Sequence, residues 1–65
     1  MLLLKKERLS KGYSAAQIAR MADMHPSTVS QIETGRLVPY LAQQEKLAAV
    51  LKWQGNLDDL FREVD

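Results

Sequence analysis

Ser27, Thr28, Ser30 and Gln31 put four hydrogen-bonding side chains into five successive positions of the chain. Hydroxyls and a primary amide at this spacing are suited to directional hydrogen bonds with a flat polar surface. Gln31 is the strongest reader among them, because its amide donates and accepts at once and can pair bidentately with N6 and N7 of adenine. Ser27 can meet a donor or an acceptor, more weakly. The same four residues would also serve as a plain solvated face, although such a face usually carries more Lys and Glu.

His25 is the single histidine, which raises the question of a catalytic base or a metal ligand. Neither a second ligand nor a nucleophile lies near it in sequence. Its place just ahead of Pro26 suits a helix cap in contact with local backbone or a phosphate. The adjacent acids Asp58 and Asp59 are accounted for by the dipole at a helix start. There is no nucleophile–base arrangement, metal-ligand cluster or phosphate-cradling glycine loop, so the sequence indicates a non-enzymatic protein that needs no metal or cofactor.

Two short helices and a tight turn would position the polar run. Ile18, Ala19 and Ala22 share one face of the first helix, and Val29 and Ile32 share one face of the second. Ser14 with Gln17 three residues later forms a capping-box pattern that starts the first helix. The methyl group of Ala19 lets the two backbones cross closely. Asp23 tolerates the left-handed conformation that a reversal needs. Pro26 suits the first position of the second helix, and Gly35 stops that helix just after Thr34. Ser27, Thr28, Ser30 and Gln31 are not needed for the apolar stripe and form the free face.

From Gly12 through Gly35, with Arg36 and Pro39 beyond, the chain resembles the phage-repressor and Cro family of helix-turn-helix regulators, also called the xenobiotic-response-element family. Nearly the whole chain fits that domain. The resemblance implies an all-α, five-helix, lambda-repressor-like DNA-binding fold, with the motif over about residues 14–34 and a recognition helix over 26–33 lying in the major groove of double-stranded DNA. By position, Pro26, Ser27 and Gln31 match base-contacting sites, and at Pro26 the family usually carries a longer side chain. Thr28 and Ser30 complete the recognition face. The phosphate-binding positions fall on Ser14, on the backbone N–H groups of Ala15 and Ala16, and on Thr34 and Arg36, with His25 at the cap beside them. Ala15 departs from the family, where Gln is common. Arg8 and Glu33 match a structural ion pair that links the first helix to the end of the recognition helix.

Charge and size fit this expectation. The net charge of +1 divides unevenly: residues 1–36 hold six Lys or Arg against three acids, a net +3, and the remainder holds three bases and five acids, a net −2. Such a mild field suggests few phosphate contacts per monomer, so tight binding calls for two copies on one site. A chain of 65 residues buries only about 60% of its unfolded surface, which also favours dimerisation. The chain has no cysteine, hence no disulfide framework and no requirement for an oxidising compartment. The opening MLLLKK is too short for a signal peptide or a membrane span, so the expected location is the cytoplasm and the three leucines begin helix one.

Beyond Pro39, the pattern Leu41, Leu47, Ala48, Val50, Leu51 indicates a fourth helix, and Asn56 is placed to cap a short fifth one with Asp58 and Asp59 in its first turn. The linker Gln54-Gly55-Asn56 is about two residues longer than the family's usual connection. No repeat or low-complexity run divides residues 1–65, which read as one domain. Trp53, Leu57, Leu60, Phe61 and Val64 make an apolar cluster larger than a capping helix needs. Trp53, Leu57 and Leu60 suit closure of the core or a subunit interface equally, whereas Phe61 and Val64 favour the interface.

The sequence therefore points to a bacterial or phage transcription regulator, a homodimeric repressor on an inverted repeat. The alternative is a helix-turn-helix module that binds a protein partner, as an antitoxin-like component or adaptor would.

Overall fold

Helix α1 begins within the three leucines, with Leu2 at its N-cap and Leu3 and Leu4 in its first turn. In the computed structural model, which describes residues 1–64, α1 covers Leu3–Ser10 and buries Leu4 and Arg8, one turn apart on one face. The Leu2 carbonyl opens it, accepting from the N–H groups of Lys5 and Lys6 at 3.0 and 3.2 Å.

Helix α2 spans Ala15–Met21, and its capping box is formed: Ser14 Oγ accepts from the Gln17 N–H at 3.0 Å, and Gln17 Oε1 accepts from the Ser14 N–H at 2.7 Å. The chain reverses at Asp23, whose φ of 56° is left-handed, and the Met24 N–H then donates to the Ala19 carbonyl at 2.7 Å. Helix α3 covers Pro26–Glu33 with Pro26 at its first position. Gly35, at φ 81°, ends it, and the Arg36 N–H donates to the Gln31 carbonyl at 2.9 Å. These local signals sit where the sequence puts them because each depends on a neighbouring backbone group rather than on the rest of the fold.

Helix α4 covers Leu41–Leu51 and α5 covers Leu57–Leu60. Leu4, Ile18, Ala19, Ala22, Val29, Ile32, Leu47, Leu51 and Leu60 form the core, drawn from all five helices, with α2 packed on both α3 and α4. The fold is all-α. One short β-bridge joins Leu2 to Glu63, where the Leu3 N–H donates to the Arg62 carbonyl at 2.9 Å and the Val64 N–H to the Met1 carbonyl at 2.7 Å. The bridge holds α1 beside α5.

Three sequence expectations are corrected. Leu41, assigned to the apolar face of α4, is 63% exposed, because the first turn of α4 projects past the core together with Val38 and Tyr40, at 83% and 77%. Asn56 occupies the N-cap of α5 as expected but makes no side-chain cap bond; its carbonyl accepts from the Asp59 N–H at 3.1 Å and from Trp53 Nε1 at 2.9 Å. The indole bond folds the long linker back on itself. Thr28, placed on the free face of α3, is half-buried.

The C-terminal apolar cluster divides. Leu60 is fully buried, Trp53 and Phe61 are half-buried against the core, and Leu57 and Val64 are half-buried as well.

Candidate nucleic-acid interface

With 3.6 residues per turn, Ser27, Ser30, Gln31 and Thr34 fall on the side of α3 opposite Val29 and Ile32. Val29 and Ile32 are buried at 0% and 1% exposure, and all four polar residues are exposed. Thr28 lies between the two faces, which explains its partial burial. The amide of Gln31 is held by no other side chain among the described residues and is free to pair outward. Its backbone carbonyl is heavily used, accepting from the N–H groups of Arg36 and Leu37 at 2.9 and 3.2 Å and from Thr34 Oγ1 at 3.2 Å. Those bonds close the C-terminal end of α3 and leave the Arg36 side chain in solvent.

The start of α2 supplies a second polar feature. Ser14 and Gln17 satisfy each other's N–H groups, so the N–H groups of Ala15 and Ala16 are left without a bond among the described residues. Free donors at a helix N-terminus, with the dipole behind them, attract an anion. Ser14 and Ala16 are exposed and Ala15 is half-buried. At the start of α3, the exposed His25 ring faces its own helix: Nδ1 accepts from the Ser27 N–H at 3.1 Å and lies 2.7 Å from Ser27 Oγ, so a hydroxyl does stand beside the histidine that the sequence reading left without a nearby nucleophile.

One ion pair holds α3 against the rest of the molecule. Arg8 Nε donates to Glu33 Oε2 at 2.8 Å and Nη2 to Oε1 at 3.0 Å, while Nη1 donates to the Tyr13 carbonyl at 3.0 Å. The two side chains are 9% and 7% exposed. The third bond could not be read from the sequence, since its acceptor is a backbone group. It ties α1, the loop before α2 and the end of α3 into one unit.

Residues 2–61 match the family model described as the helix-turn-helix domain. The chain belongs to that family. Within the matched span α2 and α3 pack together with the chain reversing at Asp23, and Arg8 and Glu33 fasten α3 to α1. Helix-turn-helix domains are DNA-binding modules and typically not enzymes. A search of curated proteins found no match, and a search of solved structures found none. No helix among the described residues is long and apolar enough to cross a membrane, and no group of three or more His, Cys, Asp and Glu residues there is placed to hold a metal ion.

What the sequence did not reveal is the exposed apolar strip of Val38, Tyr40 and Leu41 just beyond α3. The helical pattern alone assigns Leu41 inward and says nothing of the loop before it.

Proposed function

We propose that this helix-turn-helix protein is a sequence-specific transcriptional regulator of the phage-repressor and Cro type, acting as a homodimeric repressor on an inverted repeat in the bacterial cytoplasm. The observation that carries the reading is the outward face of α3. Ser27, Ser30 and Gln31 stand exposed on a helix whose other side is fixed by Val29, Ile32 and the Arg8–Glu33 pair. Such rigid presentation is what base readout requires. In this reading Gln31 and Ser27 contact bases, Pro26 lies against them, and Ser14, Ala15, Ala16, His25, Thr34 and Arg36 meet phosphates.

Size supports two copies side by side. The Cα trace measures 24 × 23 × 21 Å, and half-sites one helical turn apart are separated by about 34–36 Å. With side chains adding about 3 Å on each side, two copies fit on adjacent half-sites without overlap. The half-buried Trp53, Leu57, Phe61 and Val64 are the surface proposed for that contact. Control in this reading comes from protein concentration and from occlusion of a promoter.

The test is fluorescence anisotropy against duplex DNA at two salt concentrations. Affinity should fall steeply with added salt, because each neutralised phosphate releases counterions. Binding that ignores salt, or no binding at all, would refute the DNA-reading role. The second reading, a module for a protein partner, is favoured by the exposure of Val38, Tyr40 and Leu41 at 83%, 77% and 63%. Such a module would tolerate the loss of Gln31 without change in its binding.

A further inference from the structure

Resting on the reading of α3 as a recognition helix, we propose that His25 sets the hydrogen-bond polarity of Ser27 and so decides which base edges Ser27 can read. The argument begins with the Ser27 N–H, which can only donate. It lies 3.1 Å from His25 Nδ1, a contact that fits the tautomer with Nδ1 as acceptor and the ring proton on Nε2. An unprotonated Nδ1 has nothing to donate. At 2.7 Å from Ser27 Oγ, it therefore accepts from the hydroxyl as well.

Serine owns one hydroxyl proton and two acceptor lone pairs. With the proton committed to His25, Ser27 presents only acceptors to a partner outside the protein. A free serine pairs with either class of base edge; Ser27 held in this way pairs only with donors. In the major groove those are the exocyclic amino groups, N6 of adenine and N4 of cytosine. Guanine N7 and O6 and thymine O4 would meet it lone pair to lone pair. Pro26, between the two residues, fixes φ and keeps His25 and Ser27 in register. All three residues are exposed, so the arrangement is accessible to DNA. His25 is thus a positioning residue that narrows the specificity of its neighbour.

The test selects bound sequences from random duplexes with the wild-type protein and with Ser27→Ala, His25→Ala and Gln31→Ala. One half-site position should be restricted in the wild type and relaxed by both Ser27→Ala and His25→Ala, while the position relaxed by Gln31→Ala stays restricted in both. Deleting the exocyclic amino group at the Ser27 position, with purine in place of adenine or 2-pyrimidinone in place of cytosine, should weaken wild-type binding about tenfold. If His25→Ala leaves that position restricted, or the amino deletion has no effect, the proposal is overturned while the Gln31 result still upholds the recognition helix. If the wild type enriches no sequence, both readings fall together. Because His25→Ala also removes a cap, the unaltered protein provides an independent check. Ring nitrogen chemical shifts should show the proton of free His25 on Nε2, and a proton on Nδ1 would overturn the proposal without any DNA present.

Discussion

Arg8 and Glu33 face each other across 25 residues of sequence in a two-bonded pair, at 2.8 and 3.0 Å, with less than a tenth of either side chain exposed. The third donor of Arg8 is taken by the Tyr13 carbonyl. Burial of this kind makes the pair intolerant of losing one member. Arg8→Ala or Glu33→Ala should each destabilise the fold by about 3–5 kcal/mol in urea unfolding, because an unpaired charge is left inside. Replacing both by apolar residues of similar volume should recover most of that loss. If the double variant were as unstable as either single one, the cost would lie in packing rather than in the unpaired charge.

Ala19 is fully buried on α2, the helix packed against the inner side of α3, where its small size lets the two approach closely. Ala19→Leu should cost about 1–3 kcal/mol by overpacking. DNA affinity should fall as well, since α3 would no longer sit at its native angle to the start of α2. Stability by thermal melting and affinity by anisotropy read the two effects separately.

At Gly55 the constraint is space. A Cβ there would fall 2.7 Å from Cζ2 and 3.0 Å from Cε2 of Trp53. Gly55→Ala should displace the indole, break its bond to the Asn56 carbonyl and cost about 1–3 kcal/mol. The single tryptophan reports its own displacement through a change in fluorescence emission.

Lys52 presents the opposite case, a residue whose replacement should help. It ends α4 in the left-handed conformation, φ 54°, where a side chain is strained by about 1–2 kcal/mol and glycine is not. Lys52 is exposed, so Lys52→Gly should raise stability by about 1 kcal/mol in urea unfolding. A loss of stability would show that the lysine stem contributes packing that outweighs the strain.

How much of this was legible in the sequence depended on the range of each interaction. The capping box at Ser14 and Gln17, the reversal at Asp23 and the stop at Gly35 are decided within a few residues, and pattern reading found all three. The free face of α3 followed from periodicity, apart from Thr28 at its edge. Leu41 was misplaced because periodicity describes a helix's sides and not where the core ends along its axis. Asn56 takes the N-cap position that the sequence assigns, without the side-chain bond its residue type suggests, and the bond from the Trp53 indole to its carbonyl leaves no mark on the pattern. The bridge between Leu2 and Glu63 is made of backbone alone and leaves no mark on residue type. Within the candidate interface the cap contact of His25 with local backbone followed from its place before Pro26, whereas its approach to the Ser27 hydroxyl did not, since that depends on which way a ring is turned.

The most direct measurement is selection of bound duplexes from a random pool by the wild-type protein and by Gln31→Ala. The expected result is an inverted repeat with half-sites about one helical turn apart, carrying an adenine in each half-site whose enrichment disappears in the variant, with a loss of about 1–3 kcal/mol of discrimination. An unenriched pool, or an identical repeat selected by both proteins, would contradict the assignment of α3 as a base-reading helix.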